Sequence, residues 1–328
     1  MTSPRISAAS RDSSHLVTLG PWMNGTNFSG NTEVGASGVY GGILYYIGGQ
    51  LQPSGVYTNR VYYAPVLPNG TVEKWTLDAY AYPGAKGIWA LQCPAYNGFV
   101  YCIGGNKEPG GTTSAVYFAT IGSKGIGSWK STTPYPLKIR FDSCVPYYGF
   151  MYCVGGSPSA NRATNAVYYA AILAQGGLGK WYRTSSYPIS TWAHCVISSG
   201  YIFCLSDYNG KLITNLTYYA QVSSSGIGQW KSGPHYPITK EKMQCVASNN
   251  SMFCIGGGNG VGGIDGNQAV NNVYSAALSS SGFGPWKSVT SYPIAIKDHS
   301  CTTYNGFIYC VGGDDTKTTN AVFFAQVV

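Results

Sequence analysis

From about residue 35 to the end of the chain, short apolar runs alternate with breaks rich in Gly, Pro, Asn and Ser, and the alternation recurs at about fifty-residue intervals. The clearest runs are Asn59-Arg-Val-Tyr-Tyr-Ala, Ser114-Ala-Val-Tyr-Phe-Ala, Asn165-Ala-Val-Tyr-Tyr-Ala, Asn215-Leu-Thr-Tyr-Tyr-Ala, Asn272-Val-Tyr-Ser-Ala and Asn320-Ala-Val-Phe-Phe-Ala. They are β-branched and aromatic and lack a helical period, so they read as strands. Upstream of each, two further runs flank a two-residue centre: Gly41-Gly42, Asn97-Gly98, Tyr148-Gly149, Ser199-Gly200, Asn249-Asn250 and Asn305-Gly306. Asn-Gly suits a type I′ turn, where both central residues need φ > 0, so each centre predicts a hairpin. Downstream, Trp75, Trp129, Trp181, Trp230 and Trp286 open a fourth strand, which Tyr82-Pro83, Tyr135-Pro136, Tyr187-Pro188, Tyr236-Pro237 and Tyr292-Pro293 end. The predicted unit is four antiparallel strands.

The hairpin register assigns the cysteines. Counting outward from Asn97-Gly98 pairs Tyr96 with Phe99, Ala95 with Val100, Pro94 with Tyr101 and Cys93 with Cys102. This fourth rung is non-hydrogen-bonded, and there Cα atoms approach to about 4.5 Å, within disulfide range. The same spacing pairs Cys144 with Cys153, Cys195 with Cys204, Cys245 with Cys254 and Cys301 with Cys310, using all ten cysteines. Ser37 and Tyr46 stand in their place in the first copy. Gly-Gly pairs at 48, 104, 155, 256 and 312 end the second strand where backbones approach or φ is positive. Copy four has Ser206-Asp207 instead.

On the double glycine, the downstream aromatic and the Trp in register, the chain resembles the kelch family from about Trp22 to Val328, although cysteine pairs are not part of the usual kelch pattern. The resemblance and the period imply an all-β, six-bladed β-propeller of four-stranded antiparallel blades. The blades would be 35–83, 84–136, 137–188, 189–237, 238–293 and 294–328 plus 15–24, in one domain of residues 15–328. Copy six ends without its Trp strand, while Leu19-Gly-Pro-Trp22 mirrors Phe283-Gly-Pro-Trp286. The N-terminal segment is therefore expected to supply the outer strand of the last blade and remove an open edge.

Residues 1–14 read as a tail without the apolar core of a signal peptide. Five stapled hairpins nevertheless argue for an oxidising compartment or a hyperthermophile's interior; an extracellular or cell-surface location is the expectation, with the sequence beginning after a processing point or cloned that way. The scarcity of charge beside abundant Tyr, Gly, Ser and Thr is similar to that of secreted proteins of acid-loving archaea. Sequons at Asn24, Asn27, Asn69, Asn215 and Asn249 are glycosylation candidates, Asn215 also occupying the repeat's recurring Asn. No stretch of about eighteen apolar residues would form a transmembrane segment. The formal net charge is +8, but Lys74, Lys130, Lys180, Lys231 and Lys287 recur beside the Trp of each outer strand. Lysine there discourages edge pairing, a simpler reading than nucleic-acid binding.

Strand order places the loops after each Gly-Gly and after each Tyr-Pro on one face, the expected binding face for a protein, a glycan or a neighbouring subunit of a larger surface assembly. Counting back from each first-strand cysteine position, Glu33, Trp89, Arg140, Thr191, Glu241 and Lys297 are expected at the channel mouth. Ala36, Gln92, Ser143, His194, Gln244 and Ser300 belong to the same ring, joined by Asp142, Trp192, Lys242, Asp298 and His299. Polar residues at a solvated mouth need no further role. The sharpest metal or catalytic constellation, His194, Glu241 and His299, lacks short ligand spacing. Neither Asp265-Gly-Asn267 nor Asp314-Asp315 has a full calcium pattern, and no cofactor is implied. His15 lies near the tail, and packing is the expected role of His235.

The motifs of related propeller enzymes are missing: every cysteine has a repeat position, which leaves none for a copper-site Cys-Tyr bond, and no sialidase box occurs. The expected function is a non-enzymatic recognition or structural module. The alternative is a carbohydrate-active enzyme, epimerase- or hydrolase-like, using Glu241, Arg140 and His194, by fold analogy with kelch-like sugar epimerases.

Overall fold

The structure is a computed structural model that describes residues 17–28, 30–159, 162–259, 268–314 and 318–328. All regular structure among these residues is β. Each repeat copy forms one antiparallel sheet, typified by Ser143–Tyr147, Phe150–Val154, Val167–Ala171 and Tyr182–Arg183 in that order. In all six hairpin turns both central residues have positive φ, from 43° to 81°. The predicted register follows: Cys144 faces Cys153, Cys195 faces Cys204, and Ser37 faces Tyr46. All five bridges form, each with Cα atoms 4.1 Å apart.

Burial is concentrated between the sheets. Six apolar clusters each join one sheet to the next, among them one that packs Tyr309 and Phe324 of the sixth sheet on Leu44 and Tyr46 of the first. The tryptophans add polar ties of constant form. Trp75, Trp129, Trp181, Trp230 and Trp286 each donate Nε1–H to a carbonyl about fifty residues upstream, at 3.0–3.3 Å. Trp22 does the same to Thr290, 268 residues away in sequence. Met23–Asn24 pairs with Val322–Gln326, Met23 opposite Phe324. Phe28, six residues after Trp22, is buried edge-on against Trp75, where its sequence gives no Tyr-Pro signal.

The double glycines are ties between copies. The second glycine donates its N–H to a carbonyl just ahead of the next copy's first strand: Gly49 to Ile88, Gly105 to Ile139, Gly156 to Thr191, Gly257 to Ile296 and Gly313 to Thr32, at 2.7–2.8 Å. A Cβ on the first glycine would collide with that same oxygen, and φ there is 59–69°. Only glycine meets both demands.

The loops after the Gly-Gly pairs are more regular than expected. Three become hairpins paired with the segment that leads into the same copy: Asn106–Glu108 with Gly87–Trp89, Gln50–Leu51 with Thr32–Glu33, and Gly258–Asn259 with Lys240–Glu241. The five recurring lysines are exposed as predicted. No helix among the described residues is long and apolar enough to cross a membrane.

Candidate functional site at the axial mouth

All six first strands line one cavity of about 360 Å³, walled by residues such as Ser37, Cys93, Val145, Ile197, Ala247 and Thr303. At its loop-face end lies a smaller pocket of about 60 Å³ that shares Gln92, His194 and Gln244 with it. A backbone ring frames this pocket. Val34, Ala90, Phe141, Lys242 and Asp298, three residues before the cysteine position of their copies, have φ of 51–58°. Asp298 N–H donates to Lys242 C=O, Val34 to Asp298, Ala90 to Val34 and Phe141 to Ala90, at 2.8–3.1 Å. Left-handed backbone at Val, Ala and Phe costs of order 1–3 kcal/mol each and clusters at functional sites.

The ring breaks at copy four, where the double glycine is missing. Trp192 N–H turns to Tyr208 C=O, and Asp207 N–H bonds within its own copy to Trp192 C=O, both at 2.9 Å. The Asp207 carboxylate fills the gap: Oδ2 accepts the Lys242 N–H at 2.9 Å and lies 3.0 Å from His194 Nε2. Its other oxygen, Oδ1, is buried without a partner.

The left-handed residue also corrects the expected lining. Most residues one to three before the cysteine position face the pocket, among them Asp142, Trp192, His194, Lys242, Asp298 and His299, while Ala36, Ser143 and Ser300 line the larger cavity instead. The set one residue earlier, Glu33, Trp89, Arg140, Thr191, Glu241 and Lys297, does not line it, and in every copy but the fourth a left-handed residue follows immediately and re-aims the chain. Asp142 and His299 are buried rather than solvated. Burial raises the Asp142 carboxyl to about 7 and lowers His299 to about 3, the latter with help from the Lys240 and His194 charges. Desolvation also raises Asp298 to about 7 against the pull of Lys242 and Lys297.

Glu241, Arg140 and His194 are not brought together. Glu241 is buried with Oε1 3.3 Å from Lys242 Nζ. The Arg140 guanidinium lies 5.1 Å from the Trp89 ring centre and 5.4 Å from that of Phe141, its pKa lowered by burial. Of the His194, Glu241 and His299 constellation, only the histidines line the pocket. Among the described residues, the groups of three His, Cys, Asp or Glu ligand atoms within 4.8 Å of one another are His299 with Cys301 and Cys310, and Asp142 with Cys144 and Cys153. Their sulfurs are bridged and offer no thiolate. Lys297 pairs with Asp314 at 3.2 Å, while Asp265, Asn267, Asp315 and His15 lie outside the described residues. His235 is exposed rather than packed.

Asn24, Asn27, Asn69 and Asn249 are exposed. Asn215 is a structural residue: its Nδ2 donates to Tyr236 C=O at 2.9 Å, as Asn59 does to Tyr82 C=O, and the sequon's Thr217 is buried.

Beside the pocket runs a row of partly exposed rings from four copies. Tyr57 stacks on Trp89 at 5.3 Å, Trp89 meets Phe141 at 5.8 Å, Phe141 stacks on Trp192 at 4.3 Å, and Trp192 meets Tyr208 at 5.0 Å. Tyr57, Phe141, Tyr208 and Asp207 were not legible as site residues. The signal available for Asp207 was that it breaks the Gly-Gly pattern. Lys240 is a similar case, fully buried at a place where other copies have Ile88, Ile139 and Ile296, with Nζ donating to Gly256 C=O and a pKa lowered by burial to about 7.

The sequence matches no protein-family model and no curated protein. Among solved structures it is similar to the structure of YjhT, with a TM-score of 0.71 at 13% identity, covering 91% of this chain and 95% of that one. At that identity the likeness carries the fold alone, an all-β, β-propeller-like arrangement.

Proposed function

We propose that the chain is a six-bladed kelch-type propeller, closed by its N-terminal segment, that acts outside the cell as a recognition module and binds a glycan on its loop face. The ring of inter-copy ties supports the blade count and closure, and the five bridges support an oxidising location. The observation that carries the ligand class is the aromatic row Tyr57, Trp89, Phe141, Trp192 and Tyr208 with Arg140 laid over two of its rings. Sugar rings have apolar C–H faces that pack on aromatic faces and hydroxyls that need flanking donors and acceptors. Arg140 and the Gln52–Glu33 pair, hydrogen-bonded at 3.2 Å, flank the row with such groups. Carbohydrate chemistry through Glu241, Arg140 and His194 has no common cavity to support it.

The test is titration of a broad glycan panel into the native protein, followed by Trp89→Ala and Tyr57→Ala. Saturable binding weakened at least tenfold by either variant is expected. Binding to none of the panel, or binding indifferent to both variants, would overturn the glycan reading.

A further inference from the structure

We propose that the axial pocket binds an organic cation, an ammonium or guanidinium head carried on a short stem, independently of what the aromatic row binds. Three carboxyl side chains, Asp142, Asp207 and Asp298, line the pocket against one lysine, Lys242, whose Nζ already lies 3.3 Å from Glu241. Asp142 and Asp207 are buried, and each has an oxygen without a partner. Asp142 Oδ2 lies 3.0 Å from the Cys144 sulfur, which as half of a bridge has no proton to donate, and the carboxyl's other hydrogen bond is to its own backbone. Among the described residues no lysine, arginine or histidine nitrogen lies within 4 Å of Asp142.

A second observation is independent of the acids. Both ring nitrogens of the buried His299 also lack partners on the same wall, and the one that carries no proton is an acceptor for a donor on the occupant. A buried polar atom left unpaired costs about 1–3 kcal/mol, so several around one cavity mark a place that is completed from outside. Size narrows the occupant. About 60 Å³ is several times the roughly 10–15 Å³ that one water requires, enough for a charged head and too little for a sugar ring. The three carboxyl groups, once ionised, repel an anion and attract a cation. The spread of the ligand atoms disfavours a bare metal ion, since among the described residues no three unbridged groups approach within 4.8 Å. An ammonium or guanidinium has several N–H donors spread over a few ångströms, and the rings of Phe141 and Trp192 on the wall attract a cation further.

The experiment titrates n-butylammonium and n-propylguanidinium chloride, and capped Gly-Lys-Gly and Gly-Arg-Gly peptides, into the whole protein by calorimetry at constant ionic strength. Saturable one-to-one binding is expected for at least one of them, with n-butanol inert. Asp142→Asn and Asp207→Asn should each weaken it at least tenfold, and Lys130→Ala, on an exposed outer strand and not among the lining residues, should leave it unchanged. Tighter binding of the peptides identifies a partner's basic side chain as the source, and tighter binding of the free amines a small metabolite. Because a carboxylate variant can fail to fold, the Trp192 indole N–H resonance of the wild type, assigned by its loss in Trp192→Phe, provides a second readout and should shift on titration. No binding by any probe, equal binding of n-butanol, or an unmoved indole resonance would overturn the proposal.

Discussion

Single residues set the chemistry through desolvation, and the effect on stability has a definite sign. Asp142 and Asp298 hold a proton in the fold to about pH 7 that the unfolded chain releases near 4, so the folded state gains over that range as pH falls. Lys240 is neutral in the fold above about pH 7 but charged in the unfolded chain to about 10.5, so stability grows as pH rises through that window. Asp142 shares its cavity with Asp207, Asp298, His194, His299 and Lys242 and lies beside Tyr135, none of which supplies a neutralising contact. His299, neutral in the fold down to about pH 3 but charged in the unfolded chain below about 6.5, offsets part of the acid-side gain of the two carboxyls, so thermal melts should show a shallow stability minimum near neutral pH. Asp142→Asn should reduce the gain on the acid side and Lys240→Ile, the residue other copies use, the gain on the alkaline side. A maximum at pH 7 would contradict these assignments. Glycines separate in the same way. Gly306→Ala meets open space and only the left-handed φ, about 1–2 kcal/mol, whereas Gly104→Ala adds a collision with the Ile139 carbonyl and should cost at least 3 kcal/mol by this reasoning. Denaturant unfolding of both variants measures the difference.

At the scale of the hairpin, each bridge closes a short loop and is expected to contribute about 2–3 kcal/mol. The unbridged first copy shows why the pattern is not universal. Ser37 faces Tyr46 at the bridge rung, but Tyr46 is a core residue packed on Phe28, with its hydroxyl accepting the Gly35 N–H at 3.1 Å. Replacing both by cysteine should form a bridge, detectable by mass spectrometry, yet lower the melting temperature. Loss of a buried aromatic costs about 3–5 kcal/mol, more than the loop closure returns. Turn type, register and pairing were legible in the residues because a two-residue turn leaves no freedom in the rungs that follow. The αL residues ahead of five of the first strands were not, since nothing local in Val34, Ala90 or Phe141 favours positive φ. Their conformation is imposed by hydrogen bonds to the neighbouring copy.

At the scale of the molecule, the sixth sheet depends on residues from the opposite end of the chain. Phe28→Ala should cost about 3–5 kcal/mol, and removing residues 1–28 should lower the melting temperature sharply and produce larger species on size-exclusion chromatography, because an unpaired edge recruits other chains. A truncated protein that remains monomeric and equally stable would mean that the pairing contributes little. By itself the sequence determined the repeat, the strands, the bridge pairing and the likeness of Trp22 to the other outer-strand tryptophans, because these depend on turn chemistry and period-two alternation that neighbouring residues settle. Only the tertiary structure decided which side chains meet in the pocket. The Asp207–His194 contact joins residues 13 apart, while the pocket also collects Asp142, Lys242 and His299 from other copies. Those meetings depend on how each copy sits against the next and on a left-handed residue that re-aims the chain, and no local pattern encodes either.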